Sequence, residues 1–273
     1  MRVIVHLSDL HFGRMDPILE RPLADAINAL RPDLLAVSGD LTQRARRSEF
    51  ADARRFLDAL PFPKLVLPGN HDVPLYNVLS RFAAPLARYK RAIATDLSPV
   101  YRDGEMIAVG VNTARSLTWG EGRISERQVD DIVRRLSGTP PDLIRIVVTH
   151  HPFDAPAGVG EQRLLGRASM AMRKLAAASA DLFLAGHLHV SHIGHTAERY
   201  KIAGHSALVV QAGTVSMRSR GEQPSFNVLR IERPRISVER LVWDPGRSTF
   251  EGAAASRYRH TADGWKADGD DLR

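Results

Sequence analysis

Seven side chains able to hold a hard divalent cation fall in five short clusters of this chain. Asp9 and His11 stand in SDLH, Asp40 in SGD, Asn70 in GNHD, His150 in THHP, and His187 and His189 in GHLH. Carboxylate, amide oxygen and imidazole are donors that manganese, iron and zinc accept. With no cysteine in the chain, thiolate ligation is excluded. One ion takes about four to six ligands, solvent included, so seven protein groups overfill a single site. They suit two ions sharing a carboxylate, and Asp40, by itself in its cluster and central in the order, is the natural bridge. Two ions about 3.5–4 Å apart are a device for hydrolysing phosphate esters.

Each cluster follows a short apolar run that reads as a buried strand: residues 3–5, 34–37, 65–67, 146–148 and 182–185. Further strands are predicted over 106–111, 208–210, 226–231 and 236–242, the last two as a closing pair around Pro234. Helical spacing of apolar residues predicts helices over 17–30, 48–60, 78–89 and 125–136. The last of these opens with a capping box of Ser125 and Gln128. Alternating strands and helices predict an α/β fold with covered sheets. The strand-only last third predicts a second, partly antiparallel sheet packed on the first. In open α/β sheets sites form at the carboxyl ends of strands, which is where all five clusters fall. One domain is expected over residues 1–247, and the polar, Gly/Ala-rich stretch 248–273 is expected as a loosely held tail. Residues 153–169 form the longest predicted loop, of a length common in lids and pocket walls.

The 273 residues are 44% hydrophobic and 25% charged, which suits a compact enzyme-sized unit. A net charge of +7, with 38 basic against 31 acidic residues, favours an anionic partner. Local basic concentrations lie at 44–47 and 218–220, without any block of five like charges. The longest apolar runs fall well short of the ~20 residues of a membrane span. The opening MRVIVHLSD reads as a strand, not as a signal peptide, so a cytoplasmic location without a membrane partner is expected.

The order D-x-H, GD, GNH-D, a single His, then GH-x-H resembles the calcineurin-like metallophosphoesterase superfamily, from Asp9 to His189. The resemblance implies a four-layer αββα sandwich with two packed mixed β-sheets. It implies one metal ion on Asp9, His11, Asp40 and His189, and a second on Asp40, Asn70, His150 and His187. The family's turn histidine falls on His71. SDLHFG, SGDLTQRA and PGNHD are most similar to the bacterial class III cyclic-nucleotide phosphodiesterases, although Ala45 stands where that branch often has Gly. GDLTQRAR departs from the GD-x-x-D-R-G of protein serine/threonine phosphatases.

The implied reaction is phosphodiester hydrolysis by a hydroxide bridging two divalent ions. The expected substrate is a small anionic phosphodiester, a 3′,5′- or 2′,3′-cyclic nucleotide or another. Asn70 and His71 are the expected substrate contacts, with His71 protonating the leaving group or stabilising its charge. The alternatives are a metal-dependent nuclease, which would bind nucleic acid, and a catalytically idle phosphate-binding scaffold. The complete donor set counts against the scaffold.

Smaller expectations attach to other residues. Asp72 reads as a turn or helix-start residue, His151 as fixed beside its neighbour, and His6 as a satisfied core histidine. His192, His195 and His205 read as surface residues, and His260 as non-catalytic. Phe12, Arg44, Arg115 and Trp119 are candidates for lining a base-and-phosphate pocket, with packing or solvated surface as their ordinary alternative.

Overall fold

A computed structural model describes residues 1–75, 78–117, 120–156, 158–216 and 221–268. Strands and helices alternate as β1 (Arg2–Leu7), α1 (Pro17–Leu30), β2 (Leu34–Val37), α2 (Arg47–Asp58) and β3 (Lys64–Val66). Then come α3 (Val78–Ala83), α4 (Ala87–Ala92), β4 (Val100–Arg102), β5 (Met106–Val111), α5 (Glu126–Ser137) and β6 (Ile144–Thr149). α6 (Ala168–Ala177), β7 (Leu182–Ala185), β8 (His192–His195), α7 (Thr196–Tyr200) and β9 (Leu208–Gln211) follow. Four strands close the chain: β10 (Ser225–Glu232), β11 (Arg235–Asp244), β12 (Thr249–Thr261) and β13 (Gly264–Ala267).

These strands form two mixed sheets, ordered β13-β12-β11-β10-β1-β2-β3 and β4-β5-β6-β7-β9-β8. Alternation of side chains along the strands sends neighbours into different apolar layers. Val5, Leu7, Leu35 and Val37 face helical residues such as Leu23, Ile27, Phe50 and Phe56. Ile4, Leu34 and Ala36 meet Ile146, Val148 and Leu184 of the other sheet. Val109, Val147 and Phe183 face Val129, Ile132, Met172 and Leu175 on α5 and α6. Three apolar layers between four layers of elements make the αββα sandwich that the sequence leads one to expect.

Two local features show how the sequence builds its helices. Asp16 accepts a hydrogen bond from the amide of Ile18 and Pro17 opens α1, where a missing N–H costs nothing. Ser125 and Gln128 form the predicted box on α5, with the amide of Ser125 donating to Gln128 Oε1 at 2.9 Å. The helix expected over 78–89 is two short helices instead, because Pro85 lacks an amide hydrogen and turns the preceding residue away from helical angles. α6 was not predicted, and among the described residues no helix is long and apolar enough to cross a membrane.

The loosely held tail expected from residue 248 is a correction. Residues 249–267 form β12 and β13, paired antiparallel to β11 and to each other. Phe250 packs on the helix-facing side, and Tyr258 and Trp265 enter the layer between the sheets. Trp265 Nε1 donates to Asp181 Oδ1 at 3.0 Å, tying this end to the start of β7. Residues 153–169 are anchored at both ends, through Phe153 and Leu165 in the core and a bond from the Leu165 amide to the Pro152 carbonyl.

Candidate metal centre

β1, β2 and β3 run parallel in one sheet, and β5, β6, β7 and β9 run parallel in the other. The loops after β1, β2, β3, β6 and β7 bring the five clusters together across the seam between the sheets. These loops turn sharply: Asp9, His11, Asp40, His187 and His189 have φ of 55°, 47°, 52°, 74° and 58°. A non-glycine residue there costs roughly 1–2 kcal/mol. Such strain gathers at functional sites, held by the surrounding structure. Here backbone bonds from Asp9 to the Gly39 carbonyl and from His11 to the Asp40 carbonyl, both 3.0 Å, fix the first two loops to each other.

Two glycines are required by crowding at the centre. Gly39 has φ +106°, and a Cβ on it would lie 2.7 Å from His150 Nδ1. A Cβ on Gly69 would lie 2.1 Å from Asp40 Oδ1 and 2.4 Å from the Asp40 amide nitrogen. The polar turn PGNHD thus contains glycine because the Asp40 carboxylate occupies the space of a side chain.

The donors form two groups of four that meet at Asp40 Oδ2. In the first, His11 Nε2 lies 3.1 Å from His189 Nε2, 3.6 Å from Asp9 Oδ1 and 3.8 Å from Asp40 Oδ2, with His189 Nε2 3.1 Å from Asp9 Oδ1. In the second, His150 Nε2 lies 3.4 Å from Asp40 Oδ2 and 3.1 Å from Asn70 Oδ1, which is 3.0 Å from His187 Nδ1. Bonds of about 2.0–2.2 Å to a shared ion put neighbouring ligand atoms roughly 3.0–3.5 Å apart, which is close to this spacing. Asp9 Oδ1 is buried and makes no hydrogen bond, the condition of an oxygen shaped to accept a cation. In two of the histidines the ring nitrogen away from the centre is engaged: His150 Nδ1 meets the Ser38 carbonyl at 2.8 Å and His11 Nδ1 the Thr42 carbonyl at 3.4 Å. A Nδ1–H donated outward presents the Nε2 lone pair inward, as a metal ligand requires.

Electrostatics agree with this donor set. Burial pushes the Asp40 carboxyl up, but His150, His71 and His11 together hold it well below the ordinary range. Burial likewise opposes the Asp9 carboxylate, and His189 and His11 overcome it. Burial lowers His187 to about 3, helped by His150, and lowers His11. Only His150 goes the other way among these: Asp40 outweighs burial and raises it to about 9. Asp9, His11, Asp40, His150 and His189 are buried, whereas Asn70, His71 and His187 are half-buried, so the centre opens on their side.

Asp72 has a larger part than a turn residue. Its Oδ1 accepts from the Thr42 amide (2.9 Å) and Thr42 Oγ1 (2.8 Å), and its Oδ2 from the amides of Leu41 (3.1 Å) and Gly69 (2.9 Å). It therefore stitches the Asp40 loop to the Asn70 loop. Nothing in the sequence marks that role beyond an acidic residue closing the turn. His71 donates its amide to Asp40 Oδ1 at 2.8 Å, its Nδ1 meets the Gln43 carbonyl at 2.8 Å, and its ring stands edge-on to His11 at 4.9 Å.

His151 joins His150 and His187 in a compact group of potential donors. Its Nδ1 is 2.8 Å from Thr113 Oγ1 and its Nε2 3.1 Å from the Gly120 carbonyl, so both nitrogens are spent on positioning it. His6 is buried and half-satisfied: Nε2 meets Ser38 Oγ at 3.0 Å while Nδ1 has no partner. His192, His195 and His205 are half-buried, not on the open surface. Phe12 is core, its ring tilted against that of Phe56, and Arg44 is exposed. Trp119 and the basic stretch 218–220 lie outside the described residues.

The family model for calcineurin-like phosphoesterases matches residues 2–191. Over 81 residues the chain is 37% identical to the glycerophosphodiester phosphodiesterase GpdQ of Enterobacter lignolyticus, covering 26% of this chain and 29% of that protein. The chain thus spans under a third of the curated relative's length. Among solved structures, the purple acid phosphatase PPD1 from yellow lupin seeds superposes with a TM-score of 0.68 at 10% identity, over 94% of this chain and 53% of that one. A dimetal phosphatase from Danio rerio superposes with a TM-score of 0.63 at 15% identity, over 92% and 98% of the two chains. At these identities the likeness is one of fold.

Proposed function

The chain belongs to the calcineurin-like phosphoesterase family, and we propose that it is a two-metal phosphodiesterase acting on small diesters. The observation that carries this reading is the pair of donor groups meeting at Asp40 Oδ2. Asp9, His11, Asp40 and His189 would hold one divalent ion of the Mn, Fe or Zn class, and Asp40, Asn70, His150 and His187 the other. When bound, such a pair supplies Lewis acidity to the phosphoryl group and makes water a nucleophile near neutral pH.

The chain's own groups do the rest. Asn70 Oδ1 faces His150 and His187, which turns its Nδ2 outward to donate to a phosphoryl oxygen. His71 is pinned through Nδ1 to the Gln43 carbonyl, so Nε2 is the atom that addresses the substrate. With both ring nitrogens protonated, Nε2 can give its proton to the departing oxygen. Thr113 and Gly120 fix His151, whose ring lies 4.8 Å from that of His150 and 4.5 Å from that of His187, and so brace both.

Two substrate classes follow: cyclic nucleotides, from the resemblance of the motifs, and glycerophosphodiesters, from the name of the relative. The test is turnover of Mn²⁺-loaded protein on 3′,5′- and 2′,3′-cyclic AMP, glycerophosphoethanolamine, bis(p-nitrophenyl) phosphate and p-nitrophenyl phosphate, with metal content measured alongside. Diesters should outrun the monoester, with close to two ions per chain and loss of turnover on chelation. A preferred monoester would overturn the assignment. Single-stranded DNA as the best substrate would give the nuclease, and a chain that holds no metal would give the idle scaffold.

A further inference from the structure

A cavity of about 520 Å³ opens where the PGNHD turn ends, lined by Val73, Leu86, Asn112 and Ala114, with Lys90 and Arg115 as its charged members. Among the described residues no carboxylate lines it. It adjoins the metal centre along the chain: Val73 follows Asp72 directly, and Thr113, one residue before Ala114, holds the ring of His151. Arg115 is half-buried, and both Nε and Nη2 donate to the Arg123 carbonyl, at 3.3 and 3.1 Å. That fixes the guanidinium without neutralising it. Arg123 pairs across a backbone bridge with Gly166, next to Arg167, so two more cations stand close by. Burial, then Arg123 and Arg167, lower the pKa of Arg115, the mark of a cation short of an anion. Among the described residues none of Lys90, Arg115, Arg123 and Arg167 forms an ion pair. A cavity of about 560 Å³ beside residues 161–169 differs: Glu121 and Glu161 line it together with Arg167 and Arg199, and Glu161 lies 3.7 Å from Arg199.

We propose that the cavity of Lys90 and Arg115 receives a second phosphate group of the substrate, so that the preferred substrate is a phosphodiester that also carries a phosphomonoester. The inference rests on the phosphodiesterase reading and narrows it. A guanidinium held in place and partly desolvated binds a phosphate by charge-assisted hydrogen bonds, which are stronger than neutral ones.

The test compares kcat/KM of Mn²⁺-loaded protein for the dinucleotide pApA and its unphosphorylated counterpart ApA, with bis(p-nitrophenyl) phosphate reporting diester hydrolysis as such. The wild type should favour pApA by about tenfold or more, the worth of one charge-assisted hydrogen bond. Arg115→Ala should bring the ratio near one, and Arg115→Lys should keep part of it. Both substrates are read on the same preparation, so a change in folded fraction does not move the ratio. Lys90 is exposed, and Lys90→Ala gives a second variant whose fold is not at risk; it too should lower the ratio. Equal kcat/KM for the two dinucleotides in the wild type, or a ratio that neither substitution moves, would overturn the second-phosphate site while leaving the phosphodiesterase intact. Absence of turnover on all three diesters would overturn both.

Discussion

Gly69→Ala separates crowding from backbone strain at the centre. Gly69 has φ −103° and ψ −172°, which alanine adopts freely, so any effect comes from the added methyl. That methyl would lie 2.1 Å from Asp40 Oδ1 and 2.4 Å from the Asp40 amide nitrogen. Ordinary carbon–oxygen contact needs about 3.4 Å, so one partner must yield by more than about 1 Å. One of the obstacles is backbone, and the carboxylate that must swing away is the one both donor groups share. Overpacking of this kind costs roughly 1–3 kcal/mol of stability. A misplacement of about 1 Å costs catalysis on the order of 10²-fold. The expected outcome is turnover reduced about 10²-fold or more, metal below two ions per chain, and a modest fall in the urea midpoint. Gly104→Ala, where a Cβ meets nothing within 4 Å, is the control and should behave as wild type. A Gly69→Ala protein with full metal and activity within threefold of wild type would refute the claim that Asp40 needs this exact space.

Four further outcomes are expected. His71→Ala should lose about 10²–10⁴ in kcat with metal content preserved, since its bond to Asp40 is from the backbone; loss of metal would reassign it to ligand support. Asp72→Asn should destabilise by about 1–3 kcal/mol in urea denaturation: each carboxylate oxygen accepts two bonds, so an amide NH₂ must face donors on one side. Trp265→Ala should cost about 3–5 kcal/mol, and a cost under about 1 kcal/mol would return residues 249–267 to the status of a tail. The metal-free protein should be most stable near pH 6.5, read from urea midpoints across pH. His6 and His187, lowered to about 3 by burial, make the unfolded chain bind more protons between pH 3 and 6.5, so stability rises through that window. Asp72, raised to about 7 by burial and Asp40, offsets one of those two groups. His150, raised to about 9 by Asp40, makes the folded chain bind more protons above pH 6.5, and stability falls toward pH 9. A midpoint that climbs steadily to pH 9 would contradict the His150–Asp40 pairing.

The donor positions were legible because two signals coincide at each of them: an apolar run buried on both faces, then a residue that such surroundings exclude. The sheet beyond β11 was not. β12 reads TFEGAAASRYRHT, with Phe250 and Tyr258 as its large buried apolar side chains, so period-two alternation is too weak to be seen. Backbone pairing with β11 and the anchoring of Trp265 on Asp181 supply what the pattern lacks. Asp72 escaped for a related reason, since three of its four bonds come from Leu41 and Thr42, about thirty residues away, and no local motif records them. Helix α6, with AMRKLAA inside it, carries mostly small residues whose apolar stripe is faint beside those of α1 and α5.

Each group of four draws on both sheets: Asp9, His11 and Asp40 with His189 in one, Asp40 and Asn70 with His150 and His187 in the other. A cation held there rivets the two leaves of the sandwich at their common margin. Its binding energy is then available only to a chain whose leaves have already docked, and neither leaf folded by itself gains from the metal. Chelation should accordingly unfasten this margin first, leaving the opposite end, clasped by Trp265 and Asp181, as the hinge.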